Sequence, residues 1–257
     1  FNPSVSTVYT LTASQTSGSL CANTTTLAVN VNPRPTVLAI TPSSPSICVD
    51  AIQSLTVSGG ITGIEGKVGS GIGSNTISTP FKNNWGGNKT QAMYTAAELT
   101  AIGMEAGQKI SSIGYVTLTN STTVLNDFTI SAGFVAPATI GTTFIGGATN
   151  TVLAPVAYTS SAIGNVDFTL STPLLWDGVS NLLIETCFNN NNNGLGSSVS
   201  VESSTVASGL NIYLSQDSNA TVCTNTTSPS TTTTRPNLRI STLETSAITR
   251  SPITNLY

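Results

Sequence analysis

Histidine is absent from this chain, and Asp, Glu, Lys and Arg together make up only 7% of its 257 residues. Without imidazole, proton-transfer catalysis lacks the one side chain that ordinarily titrates near neutrality. The commonest zinc ligand is missing as well. The four cysteines (Cys21, Cys48, Cys187, Cys223) are far apart and form no CxxC, so no metal site is expected. No loop has the alternating carboxylate spacing of a calcium site, and no cofactor is expected. Scarce charge often accompanies membrane helices, but no apolar run here approaches the roughly 20 residues that cross a bilayer. Eight basic residues against eleven acidic ones, a net charge of −3, leave no basic stripe for phosphates, which excludes a nucleic-acid partner.

Polarity comes instead from 43 Thr, 34 Ser and 23 Asn, uncharged residues that suit strand faces and turns. Apolar residues are spread along the chain and the mean hydropathy is +0.18, so a packed core is expected rather than disorder. One stretch asks for a helix: in "QAMYTAAELTAIG" (91–103) Thr95 and Glu98 have the spacing of a capping box, and Gly103 supplies a stop. The spacing predicts a helix over 95–103 and no other of ten residues or more. With Leu99 and Ile102 turned inward, it would cover one open end of a sandwich.

Elsewhere short apolar-alternating runs are divided by Gly, Pro, Asn and Asp. "TVYTLTAS" and "TTLAVNVNPRP" (within 1–35) look like a closing hairpin ended by Pro33 and Pro35. Residues 36–58 give two strands around a Ser/Pro turn, and the Gly-rich 59–79 is expected to be a long exposed connection or an irregular edge hairpin. From 80 to 243 strands follow one another, from "KISSIGYVTLT" and "DFTISAGFV" to "NLRISTL". Asp177-Gly178 reads as a tight turn, and the Asn run 189–193 as a solvated loop. Phe1-Asn2-Pro3 is not a natural start, and the chain reads as a piece of something longer. Thr/Ser/Asn-rich strands suggest export, where cysteines oxidise.

"PFKNNWGGNKTQAMYTAAELTAIGMEAGQKISSIGYVTL", "FTLSTPLLWDGVSNLLIETCF" and "RPNLRIS" resemble a β-sandwich module of large cell-surface proteins of Bacteroidota, including gliding-motility adhesins. The resemblance spans roughly 80–243 and rests on Gln91, Tyr94, Glu98, Leu99, Gly103, Gly107 and Ile110, then Trp176-Asp177-Gly178 and Asn181-Leu182. The flanks are similar to the immunoglobulin-like repeats of the same proteins, although Arg250 stands where such repeats usually have Trp. What the resemblance implies is an all-β chain, with immunoglobulin-like strands flanking a larger jelly-roll-like sandwich that has one short helix. Residues 1–35 would close one immunoglobulin-like domain and 36–58 open the next. The jelly-roll-like sandwich would occupy 59–243, either inserted or in tandem, and 244–257 would continue the flanking domain. On that division Cys187 and Cys223 share the sandwich and form a disulfide, while Cys21 and Cys48 belong to different domains and are not bonded to each other.

The resemblance further implies a non-enzymatic segment of a repetitive surface adhesin or filament. It would be secreted by the type IX route to the bacterial cell surface, with neighbouring repeats of the same chain and surface glycans as partners. An accessory carbohydrate-binding module of a secreted polysaccharide hydrolase is the alternative. In either case sugar-binding sandwiches use exposed aromatics with nearby amides. Trp85, set among Asn83, Asn84, Gly86, Gly87 and Asn88 with no evident apolar partner, is the candidate platform, with Asn84 and Asn88 as hydrogen-bonding neighbours. Trp176, after two leucines, reads as core. With so few charges, glycan binding is expected to be weak and insensitive to salt.

Overall fold

A computed structural model describes residues 63–243, apart from 195, 197 and 227. Before these it describes residue 43 and strands β1 (Thr7–Ser14), β2 (Ala22–Val29), β3 (Thr36–Thr41) and β4 (Thr56–Gly60). The chain divides into two compact units, 1–61 and 62–257. In the first, β1 and β2 pair antiparallel without a bulge, from Thr7 opposite Val29 to Ser14 opposite Ala22. β3 pairs antiparallel with β4. Cys21, Cys48 and the expected strand within 244–257 lie outside the described residues.

The second unit is a two-sheet antiparallel sandwich. Its first strands are β5 (Glu65–Val68), β6 (Gly73–Asn75) and β7 (Gly87–Tyr94), followed by the helix α1 (Ala96–Ala101). β8 (Lys109–Thr117), β9 (Val124–Val135), β10 (Asn150–Thr159), β11 (Gly164–Leu175) and β12 (Asn181–Asn189) come next. β13 (Val201–Thr205), β14 (Asn211–Gln216), β15 (Ser230–Thr231), β16 (Thr234–Pro236) and β17 (Leu238–Leu243) complete it. One sheet has the order β10-β9-β12-β7-β14-β15. In the other, β8 lies between β11 and β17, β5 pairs the far side of β17, and β13 joins β6 and β16. Between the sheets pack Tyr94, Ile113, Phe128, Leu182, Ile184, Phe188 and Ile240, and Phe128 stacks on Tyr158 with ring centroids 4.9 Å apart. The Gly-rich stretch 59–79, expected to be an exposed connection or an irregular edge hairpin, supplies the short strands β5 and β6 and places Val68 in the core.

The helix is the only α-helix among the described residues. Its capping box is formed: Thr95 Oγ1 accepts from Glu98 N at 3.3 Å, and Glu98 Oε2 accepts from Thr95 N at 2.9 Å. Gly103, at φ +93°, ends it. Leu99 is fully buried in the core and Ile102 packs against it, so the helix plugs one end of the sandwich. Trp176, 1% exposed, fills the same end and donates from Nε1 to Ser180 O at 2.9 Å. The Asp177-Gly178 turn forms as expected: Gly178 has φ +86°, and Asp177 Oδ1 accepts from Val179 N and Ser180 N.

Glu98 has a second partner that a sequence reading does not supply. Arg235, 1% exposed, donates from Nη2 to Glu98 Oε1 at 2.5 Å, from Nη1 to Glu98 Oε2 at 3.0 Å and from Nη1 to Met93 O at 2.5 Å. Its guanidinium lies 4.3 Å from the Tyr94 ring centroid. Burial pushes the Glu98 carboxyl up, but the hydrogen bonds and charge of Arg235, with those of Thr95, outweigh it and hold the group below its ordinary value. One ion pair thus ties the helix to strand β16.

The six-stranded sheet is covered on both faces. Beneath its outer cover lie Met93, Leu183, Cys187, Ile212 and Leu214, overlaid by Ile140, Phe144, Leu210 and Val222. Three devices fasten that cover. Gln91 holds the Ile145 peptide both ways, Nε2 to O at 2.7 Å and Ile145 N to Oε1 at 3.0 Å. Lys89 donates to the carbonyls of Cys223 (3.1 Å) and Asn225 (3.2 Å), capping the short 3-10 turn Val222–Thr224, and pairs with Glu185 at 3.5 Å. The Cys187–Cys223 disulfide, expected from the sequence, joins that turn to β12 with Cα atoms 5.6 Å apart. Gly133 is required beneath the cover, because a Cβ there would collide with the Gly147 carbonyl.

Candidate functional site

The two ends of the sandwich differ. At the helix end the chain enters at Ile64 and leaves past Thr242, and these residues are bonded to each other: Thr242 N donates to Ile64 O at 2.9 Å, and Ile64 N to Thr242 Oγ1 at 2.9 Å. The opposite end is built from the loops around 82–86, 118–123, 160–163, 190–199 and 217–221. Trp85 stands there, 37% exposed, at the end of a turn closed by Trp85 N donating to Lys82 O at 3.4 Å.

The turn is held from several sides. Asn83 Nδ2 donates to Ser121 Oγ at 2.6 Å, and Asn84 Oδ1 accepts from Ser198 Oγ at 2.6 Å. Asp217 Oδ1 accepts from the backbone amides of Gly86 (2.7 Å) and Gly194 (3.0 Å), so one carboxylate joins two loops. Gly86 O in turn accepts from Asn190 N at 2.7 Å and Asn191 N at 3.1 Å. Side chains at 86 and 194 have no room, since a Cβ on Gly86 would strike Asn192 O and one on Gly194 the Asn84 carbonyl group. The Asn run 189–193 lies at the surface as expected, with Asn191 and Asn193 exposed, and its side chains also bond the neighbouring loops. Asn190 also accepts from Asn126 N at 2.7 Å and donates to Val124 O at 2.9 Å, while Ser218 bonds Asn192 O and Asn193 Oδ1. The asparagines thus also serve as crosslinks, which a composition count does not show.

Of the three candidate contacts, the structure brings Trp85 and Asn84 to the surface together and removes Asn88 from it. Asn88 is 1% exposed on the inner face of β7, where its Nδ2 donates to Thr79 O at 3.4 Å and its Oδ1 accepts from Ser215 Oγ at 2.9 Å. Beside the turn, Asn120, Ser121, Thr122, Thr123, Ser161 and Gly196 line an open recess of about 380 Å³. Lys82 was not singled out in the sequence. It is 7% exposed, with Nζ 4.3 Å from the Tyr213 ring centroid, and burial pushes its amine down to about 8. A lysine between Phe81 and Asn83 gives no sequence signal for such a position.

Most carboxylates of the sandwich have structural duties. Glu98 pairs with Arg235, Glu185 with Lys89, Glu202 with Lys67 at 2.6 Å and Asp167 with Arg239 at 2.9 Å. Hydrogen bonds from the Ser180 hydroxyl and amide, then from Val179 N, hold Asp177 below the usual carboxylate range. Among the described residues no three Cys, Asp or Glu side chains converge as a metal centre would need, and no helix is long and apolar enough to cross a membrane. What the loop end offers chemically is a set of fixed amides and hydroxyls, one exposed indole and one partly desolvated ammonium. The fold thus defines the class as an all-β sandwich protein. No protein-family model, curated protein or solved structure matches the chain.

Proposed function

We propose that this chain is a non-catalytic, disulfide-bonded attachment segment of a secreted bacterial surface adhesin or filament. In it the sandwich, of jelly-roll type between immunoglobulin-like flanks, presents its loop end to surface glycans. The observation that carries the reading is the polarity of the sandwich. The chain enters and leaves at the helix end, through the bonded pair Ile64 and Thr242, while the exposed indole of Trp85 stands on crosslinked loops at the other end. Rigid loops lose little entropy when they bind. The employment of Glu98, Glu185, Glu202 and Asp167 in ion pairs supports a binding rather than a hydrolytic role. The resemblance to Bacteroidota surface proteins supports type IX secretion, gliding or adhesion as the setting, and neighbouring repeats of the same chain as further partners. A glycan array with the full chain and with Trp85→Ala tests the proposal. The expected result is weak binding to a subset of glycans, lost in Trp85→Ala. Binding that survives the substitution removes Trp85 from the site, no binding leaves only a spacer role, and hydrolysis of any glycan refutes the reading.

A further inference from the structure

Four cations of the sandwich (Lys67, Lys89, Arg235 and Arg239) each face a carboxylate. Lys82 does not. It is 7% exposed, its Nζ rests over the Tyr213 ring, and among the described residues no oxygen accepts a hydrogen bond from it. The side chain is mostly buried, its ammonium has an aromatic face on one side and no anion beside it, and such partial desolvation is unfavourable until a counter-charge arrives. Its place adds a second indication, because Lys82 and Trp85 are the first and last residues of one turn at the loop end.

The geometry points to Lys82 and Tyr213 as a subsite for the carboxylate of an acidic saccharide, a uronate, with Trp85 of the same turn as the platform for the sugar ring. This names the ligand class of the attachment end proposed above and rests on that reading. A carboxylate is the group to expect, because it supplies the missing charge and accepts charge-assisted hydrogen bonds from the ammonium. A sugar is the expected carrier because the exposed indole of Trp85, beside the exposed Asn84, offers the flat apolar face on which a sugar ring stacks. The amine, pushed down to about 8, is still mostly protonated at pH 7.

The test is calorimetric titration of the full chain with tetragalacturonate and with its methyl ester, which has the same rings but no charge. The expected result is a preference for the uronate of roughly tenfold or more, the usual worth of one hydrogen bond to a charged group. That preference should fall on raising salt. Lys82→Met should abolish it and leave the residual affinity for the ester, while Lys109→Met, an exposed lysine at the helix end, should leave it intact. Folding of each variant is checked by its thermal midpoint. Equal binding of uronate and ester by the wild type, or a preference that survives in Lys82→Met, overturns the subsite and leaves glycan attachment through Trp85 standing. Failure of both oligomers and of every arrayed glycan to bind overturns the attachment reading and the subsite together.

Discussion

Replacing Glu98 by Gln tests whether the helix is held chiefly by its cap or by its ion pair. Gln can still accept from Thr95 N, so the capping box survives. What disappears is the negative charge facing Arg235, which is 1% exposed and whose Nε has no partner. Removing one member of a fully buried pair costs about 3–5 kcal/mol. Glu98 itself is 33% exposed and the Gln oxygen retains one hydrogen bond, so a cost of about 2 kcal/mol is expected here. Thr95→Ala, which removes only the cap, should cost about 1 kcal/mol. Urea unfolding of the full chain followed by tryptophan fluorescence is a suitable assay. Both tryptophans, Trp85 and Trp176, lie in the sandwich, and Trp176 packs at the helix end. With a slope of about 2 kcal/mol per molar urea, the Glu98→Gln midpoint should fall by about 1 M and the Thr95→Ala midpoint by about half that. In the double variant Glu98→Gln with Arg235→Met, the costs should fall short of additivity by about 1 kcal/mol. Acid provides an independent arm. The folded Glu98 pKa lies below the unfolded value of about 4.3, so its stabilisation is complete above that value and lost as pH falls through the folded pKa. The gap between wild type and Glu98→Gln should therefore close in acid. Equal midpoints for Glu98→Gln and Thr95→Ala, together with additive costs, would refute the ion-pair account.

Reducing the disulfide should lower stability by about 4 kcal/mol, because the closed loop spans 36 residues; unfolding with and without reductant measures it. A change below 1 kcal/mol would mean that Gln91 and Lys89 hold the cover without the crosslink. Lys82→Met should stabilise the chain at pH 7, because a partly desolvated ammonium is replaced by an apolar side chain. The drop from 10.5 to about 8 sets a ceiling of about 3 kcal/mol, which solvent contact and the lost Tyr213 interaction reduce to about 1–2. Between those two pH values the unfolded chain binds the extra proton, so wild-type stability should rise with pH through this window and the advantage of Lys82→Met should shrink, as pH-dependent melting would show. Trp85→Ala should change stability by less than about 0.5 kcal/mol while removing glycan binding, since a half-exposed loop indole contributes little to the core; a large loss of stability would make it a packing residue.

Local signals carried much of the fold. Thr95, Glu98 and Gly103 specify the helix and its stop through backbone groups within one or two turns of themselves. Asp177-Gly178 specifies its turn in the same way, and Cys187 pairs with Cys223 as the division of the chain implied. Long-range burial was not legible. "GNKTQAMY" reads as polar, yet all eight residues of β7 are buried, because a second layer covers the outer face of its sheet. Lys89 and Gln91 are buried there by partners 54 to 136 positions away, and Arg235 reaches Glu98 across 137. Asn88 looked like a neighbour of Trp85 and turned inward, since alternate residues of a strand face opposite ways and only the sheet decides which way is in. Caps and turns satisfy hydrogen bonds within a few residues, so the sequence alone determined them. A buried polar group is tolerated only when distant segments bring its partner, and only the tertiary structure decided where Lys89, Gln91, Asn88 and Arg235 would find one.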